Sequence, residues 1–260
     1  TPVIDGDLVI TRGITANWGA NGPGGDRFYA FDKRTGELVW TSSPADRPKD
    51  SSFSYPYLGW LDGKRVFYAT TGDGSVVCAN ARTGDPLWRV PLGKAGINAS
   101  VIVWKNERVV AIYGTPYEPG QMVCFSVPKV KPGENGPAVV DRAQAELWSL
   151  DISTSTSSPI LVGDRIYVVA EKGDLHAVDI KSGKIEWSLK LGIEQRNSCP
   201  FYADGKLYVP MLDDPGSKKE GDSEAGTKGA LYIIKPGDTK GEILQHVSVD
   251  GRCFGTPVAY

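Results

Sequence analysis

The chain has 260 residues, 40% hydrophobic and 23% charged, with 29 basic against 31 acidic residues for a net charge of -2. That composition excludes a wholly disordered chain, and the near-zero charge excludes the strong positive field of a generic nucleic-acid binder. No run reaches the roughly 20 apolar residues that cross a bilayer, and four scattered cysteines with two histidines give neither a disulfide scaffold nor a zinc cluster.

The chain opens directly on a strand, TPVIDGDLVIT (Thr1 to Thr11), with no initiating Met and no basic-then-apolar signal layout. A leader or more of the protein is therefore expected outside these residues. Two apolar stretches flank the polar turn at Asp5-Gly6-Asp7, which reads as a hairpin. A Gly-rich segment, GANGPGGDR (Gly19 to Arg27), follows; it joins two strands and opens no helix, so it is read as a loop and not as a phosphate cradle. AFDKRTGELVW (Ala30 to Trp40) is the second hairpin of the unit.

The same order then recurs. WLDGKRVFYAT (Trp60 to Thr70) is followed by CANARTGDPLW (Cys78 to Trp88), and VWKNERVVAIY (Val103 to Tyr113) by CFS (Cys124 to Ser126). A Pro/Gly-rich insertion, Val127 to Ala145, read as an elongated loop, then leads to ELW (Glu146 to Trp148). LVGDRIYVVA (Leu161 to Ala170) precedes GDLHAVDIKSGKIEW (Gly173 to Trp187). YADGKLYVPM (Tyr202 to Met211) precedes an acidic loop and LYIIKPGDTKGEILQ (Leu231 to Gln245), with Gln where Trp is expected. Each unit opens on a short phrase: TPV at Thr1, YPY at Tyr55, ASV at Ala99, SPI at Ser158 and CPF at Cys199, with a sixth, TPV, at Thr256. Pro suits the first residue of a strand, where its missing N–H costs little.

Five four-stranded units at a period of 40 to 50 residues, with no long helical pattern, predict an all-β chain built as a β-propeller. The expected blades run about 1–50, 51–96, 97–152, 153–194 and 195–250, with the start of another at 251–260. The recurring string is read as structural. It comprises Ala30, Asp32, Thr35, Gly36 and Trp40; Asn80, Thr83, Gly84 and Trp88; Trp148; and Ala177, Asp179, Ser182, Gly183 and Trp187. Asp or Asn can accept bonds from backbone two residues on, Gly supplies positive φ, and Trp can fill the wedge between blades while its indole N–H meets a carbonyl.

This pattern, A-x-[D/N]-x-x-[T/S]-G-x-x-x-W after a P-x-x-x-D-G-x-x-Y-V strand pair, resembles the PQQ-like β-propeller repeat. That family includes the tryptophan-docking blades of quinoprotein alcohol dehydrogenases and of BamB-type outer-membrane assembly lipoproteins. The resemblance implies a propeller of seven or eight blades, of which this chain holds five and the start of a sixth. It also implies a periplasmic or membrane-associated setting.

Two functional classes follow from the resemblance. The favoured one is a non-catalytic scaffold that binds a protein partner or a small ligand through loops on one face, with further blades of its own polypeptide or a neighbouring subunit as additional contacts and no cofactor. The alternative is a fragment of a PQQ- and calcium-dependent alcohol or sugar dehydrogenase. That enzyme class pairs vicinal cysteines with Glu, Asn and Asp ligands to calcium, and no adjacent cysteines occur here. Asp213, Asp214, Asp222 and Glu224 share one loop but lack a defined ligand order, so they are weak calcium candidates. His176 takes a strand position filled by Tyr29 and Tyr232 in other units and is read as an ordinary strand residue. No catalytic triad is expected. The partner-binding candidates are Asn17, Trp18, Phe53, Tyr55, Arg196 and Arg252, aromatics and arginines in loops that lead into the first strands.

Overall fold

The computed structural model describes residues 2–13, 26–115, 119–134, 136–215 and 228–259. These form two compact units, residues 1–151 and 152–260.

The first unit holds three antiparallel sheets, each built in chain order. Blade 1 is β1 (Val3–Asp5), β2 (Leu8–Arg12), β3 (Phe28–Asp32) and β4 (Leu38–Ser42). Blade 2 is β5 (Tyr57–Leu61), β6 (Lys64–Thr70), β7 (Ser75–Asn80) and β8 (Pro86–Pro91). Blade 3 is β9 (Ile102–Trp104), β10 (Arg108–Ile112), β11 (Met122–Ser126) and, beyond β12 (Ala138–Val139) and the one-turn helix α1 (Arg142–Ala145), β13 (Glu146–Leu150). The second unit holds blade 4, with β14 (Ile160–Val162), β15 (Arg165–Val169), β16 (Asp174–Asp179) and β17 (Ile185–Lys190). Its blade 5 is β18 (Phe201–Ala203), β19 (Lys206–Met211), β20 (Lys228–Pro236) and β21 (Gly241–Asp250).

Turn chemistry explains the hairpins. Asp62-Gly63, Lys105-Asn106 and Asp204-Gly205 hold positive φ at both central residues, the geometry that matches the twist of paired strands. In the recurring string, Asp32 Oδ1 accepts from the backbone N–H of Arg34 (2.8 Å) and Thr35 (2.9 Å). Asn80 Oδ1 does the same for Arg82 (2.8 Å) and Thr83 (3.3 Å), and Asp179 Oδ1 for Lys181 (3.1 Å) and Ser182 (2.7 Å). Gly36, Gly84 and Gly183 sit at φ 74°, 78° and 73°, where a side chain would be strained. One further regularity is shared by all five blades. The ladder between the third and fourth strands shifts register at Ala30/Phe31, Cys78/Ala79, Cys124/Phe125, Ala177/Val178 and Ile233/Ile234. Such a bulge bends the last strand and increases its twist.

The tryptophans join blades. Trp40 of blade 1 packs with Phe67, Ala69, Val77 and Ala79 of blade 2, stacks on Phe67 at 5.9 Å and donates from Nε1 to the Ala81 carbonyl at 3.3 Å. Its ring lies over Gly84, where an added Cβ would come within 2.7 Å of Trp40 Cε3. Trp187 of blade 4 repeats the arrangement on blade 5, donating to the Gly237 carbonyl at 2.9 Å and covering Gly241. Trp88 is the exception. It is fully buried, but its Nε1 has no hydrogen-bond partner among the described residues.

The reason lies in the insertion, and it corrects the expectation of a plain loop. Blade 3 lacks the Asp-x-x-Thr-Gly turn that presents a carbonyl and a bare Gly. In its place the chain crosses to blade 2, where Ala138 and Val139 pair in parallel with Trp88 and Arg89 as a fifth strand, and Val140 N–H donates to Arg89 O at 2.9 Å. The return runs through α1, capped by the Asp141 carboxylate on Ala143 N–H (2.9 Å). Arg142 then ties the segment to Glu146 (2.6 Å), the Tyr113 hydroxyl (2.9 Å) and Gln121 (2.8 Å).

The opening phrases of the units also have a structural use. Tyr55 N–H donates to Ser100 Oγ (3.2 Å), Ser158 N–H to Cys199 Sγ (3.0 Å) and Cys199 N–H to Thr256 Oγ1 (3.0 Å). These three lead-in segments thus borrow an acceptor from the corresponding segment of the next repeat.

Candidate functional site

In unit 1 the ends of the second strands, the starts of the third strands and the crossovers between blades share one end of the sheets, and a buried ionic network lies there. Arg12, the last residue of β2, has a side chain only 6% exposed and meets the fully buried Asp26 at 3.1 Å. Nη1 donates to Ser52 Oγ (2.5 Å), Ser54 Oγ (3.1 Å) and Ser54 O (3.2 Å), Nη2 donates to Thr70 O, and the guanidinium lies over the Phe28 ring at 4.6 Å. Burial draws the Arg12 pKa down, while Asp26 and Asp73 act in the opposite sense. Asp26 also accepts Gly72 N–H at 2.7 Å.

Asp73 is the second centre of the network. Its carboxylate accepts from Thr71 Oγ1 (2.6 Å), Ser75 N–H (3.0 Å), Ser75 Oγ (3.0 Å), Asp46 N–H (3.1 Å) and Arg89 Nη1 (2.8 Å). A buried charge is tolerated only when paired and hydrogen-bonded in this way.

The network fixes residues 51–56, the crossover that carries two of the expected site residues. Ser52 and Ser54 point inward and are 4% and 3% exposed; Ser52 Oγ donates to Ile97 O (2.6 Å) and Ser54 Oγ to Thr70 O (2.9 Å). Phe53 N–H meets Asn98 Oδ1 at 3.2 Å. Alternation then turns the intervening aromatics outward, leaving Phe53 70% and Tyr55 41% exposed. An aromatic pair on backbone this firmly bonded loses little conformational entropy when a ligand covers it. On the same end, Leu92 to Gly96 with Tyr113 to Thr115 and Pro119 line a recess of about 220 Å³.

The other expected residues divide. Asn17 and Trp18 lie outside the described residues, as do Asp222 and Glu224. In unit 2, Arg196 pairs with Glu194 and Arg252 with Asp213 at 2.8 Å, so each arginine is already engaged by a neighbouring acid. Asp214 is buried against His246 Nε2 at 3.2 Å, and His246 stacks on Tyr232 at 4.6 Å. The two described carboxylates of the acidic loop are therefore already engaged, Asp213 by Arg252 and Asp214 by the His246 ring. Among the described residues no three His, Cys, Asp or Glu side chains cluster as a metal would require. The described residues do not supply the carboxylate and amide set that a calcium-bound quinone would need. Cys78 and Cys124 are buried in the core, and burial pushes the Cys124 thiol up to about 12, which removes it from thiolate chemistry.

Sequence reasoning did not find Arg12, Asp26, Asp73 or Arg89. The available signal was a charged residue at the end of an apolar strand (VITR) and Asp within the tight turn TGDGS.

The sequence model of the outer membrane protein assembly factor BamB family matches residues 24–126 and 135–226. The chain belongs to the BamB family. Among curated relatives, BamB of Yersinia pestis is 24% identical over 222 residues, covering 79% of this chain and 49% of that protein. BamB of Burkholderia pseudomallei (strain K96243) is 24% identical over 116 residues, covering 44% and 26%. The chain thus spans about half or less of these relatives. Among solved structures, BamB from Moraxella catarrhalis superposes with a TM-score of 0.65 at 16% identity, over 99% of this chain and 66% of that one. A europium-containing methanol dehydrogenase gives 0.57 at 15% identity, over 81% and 50%. The β-propeller fold is common to both, and the BamB family membership rests on the sequence match.

Proposed function

We propose that the chain is a non-catalytic β-propeller scaffold that binds a protein partner through the blade ends carrying Phe53 and Tyr55. Its setting is the assembly of outer-membrane proteins, periplasmic or membrane-associated, without a cofactor. The observation that carries this reading is the aromatic pair held outward by the buried Arg12–Asp26–Asp73 network, since exposed, preorganised aromatics are what interface anchors are made of. BamB family membership and the assembly-factor names of the curated relatives support the setting. The chemistry of the site supports the absence of catalysis: its carboxylates are consumed by Arg12, Arg89 and backbone donors.

The test replaces the chromosomal copy in its source cell with the Phe53→Ser/Tyr55→Ser variant and quantifies outer-membrane proteins. Deletion of the gene should lower their level, and the double variant should reproduce most of that loss while its circular dichroism and thermal unfolding stay unchanged. Normal outer-membrane content in the deletion strain would remove the assembly reading. Normal content in the double variant alone would remove this pair as the contact. In a parallel assay with PQQ and calcium, saturable binding with dye-linked alcohol oxidation would replace the scaffold by a quinone-dependent dehydrogenase.

A further inference from the structure

In blades 1, 2 and 4 the hairpin between the third and fourth strands is closed by the self-bonded turn of the recurring string, built on Asp32, Asn80 and Asp179. Blade 3 has no such turn. Its chain leaves the sheet after Ser126 and comes back at Val140 to Ala145, and between departure and return lies a cleft of about 500 Å³. That volume is within the range of about 300–1,000 Å³ usual for small-molecule sites. The cleft lies within unit 1, at the end of the sheets opposite the Arg12–Asp26–Asp73 network.

Both walls are fixed by the protein itself. Val127 N–H donates to the Glu107 carbonyl at 2.8 Å and Ser126 Oγ to the Ala145 carbonyl at 3.3 Å. The pairing of β12, the Asp141 cap and the three bonds of Arg142 hold the returning chain. The back of the cleft is apolar: Val127 and Ala145 are buried and, with the partly buried Val140, belong to the core cluster around Trp88. Val130, which is exposed, carries this apolar lining outward.

Three polar side chains of complementary type stand on the same lining: the Glu107 carboxylate, the Lys129 ammonium and the Gln144 carboxamide. None of the three side chains has a hydrogen bond or ion pair among the described residues. Other turn lysines of this protein are engaged, Lys33 with Asp7, Lys181 with Asp164 and Lys206 with Asp204. A carboxylate suits a ligand ammonium, an ammonium suits a ligand carboxylate, and a carboxamide both donates to and accepts from a peptide group. We propose that the cleft binds a short apolar peptide with free termini, its ammonium on Glu107, its carboxylate on Lys129, a peptide group on Gln144 and its side chains against Val127, Val130 and Val140. The site is separate from the Phe53–Tyr55 surface and does not depend on that reading.

Calorimetric titration with trivaline and its capped forms tests the proposal. Trivaline should bind saturably, and N-acetyl-trivaline and trivaline amide should each bind about tenfold more weakly, because each cap removes one charge-assisted bond. Glu107→Gln should weaken trivaline to the level of its acetylated form and leave the affinity of that form unchanged. Lys129→Gln should do the same for trivaline and its amide. Both side chains are exposed, so thermal unfolding of the two variants should match that of the parent. Binding that neither cap weakens would overturn the proposal, by making the cleft a seat for an internal segment of a protein. The absence of saturable heat with trivaline, or equal trivaline affinity in the parent and both variants, would also overturn it.

Discussion

Trp40 and Trp88 stand at equivalent positions on the last strands of neighbouring blades, yet they meet different receiving surfaces. Trp40 finds a carbonyl and a bare glycine and stays 7% exposed, whereas Trp88 finds neither and is completely enclosed. An unpaired buried indole N–H costs on the order of 1–3 kcal/mol. What offsets it is packing: Tyr68 at 5.8 Å, Phe125 edge-on at 6.2 Å, and Ala138 laid across the outside by the insertion. The receiving turn therefore supplies direction as well as burial, and a blade that loses the turn can still be joined by adding apolar cover.

The largest effect expected from breaking this contrast is truncation of the ring. Trp88→Ala should lower the unfolding free energy by about 5 kcal/mol and Trp187→Ala by about 3–4 kcal/mol, within the usual range for buried large aromatics, as measured by urea titration. Phe at each site sharpens the comparison. Trp187→Phe should cost about 1 kcal/mol more than Trp88→Phe, because only Trp187 gives up a hydrogen bond; equal costs would show that Trp88 has a partner after all.

Next in size is the glycine pair. Gly36→Ala and Gly84→Ala both strain a left-handed residue by roughly 1–2 kcal/mol, but Gly84→Ala also drives a methyl into Trp40 and should cost about 1–3 kcal/mol more. Equal losses on denaturation would mean that the ring moves aside freely.

The smallest effect separates titrating from non-titrating turns. Backbone N–H groups of Thr35 and Arg34 hold the Asp32 carboxyl below its ordinary value. At Asp179 burial works upward, but bonds from Ser182 and Lys181 prevail and the net shift is again downward. A lowered folded pKa contributes stability that is present above the unfolded value of about 4 and is lost as pH falls through the folded pKa. Asn80 makes the same turn without a proton to bind. Asp32→Asn with Asp179→Asn should therefore reduce the drop in melting temperature between pH 5 and pH 3, read by calorimetry. An unchanged drop would assign the acid sensitivity to other carboxylates.

What the sequence made legible was local. Asp, Gly and Trp act within a turn or onto the adjoining blade, so their spacing survives in every repeat that keeps the turn, and blades, hairpins and docking tryptophans could be read directly. The insertion was misread because Ala138 and Val139 form a strand only when β8 is beside them, and two residues between prolines and glycines show no periodicity. Arg12 was missed for a related reason. Its partners, Asp26, Ser52, Ser54 and Thr70, lie between 14 and 58 positions away, and a charge at a strand end looks solvent-facing until those partners are assembled. Phe53 and Tyr55 were legible as loop aromatics. That they face outward depended on Ser52 and Ser54 finding buried acceptors, which no local pattern encodes.

The bonds from Tyr55 to Ser100, from Ser158 to Cys199 and from Cys199 to Thr256 all run forward along the chain. Each donor thus precedes its acceptor by some 40 to 60 residues. In a chain that emerges N-terminus first, from a ribosome or across a membrane, each of these lead-in segments meets its acceptor only after the next repeat has followed it, so a chain cut between two such repeats leaves the earlier one without this bond.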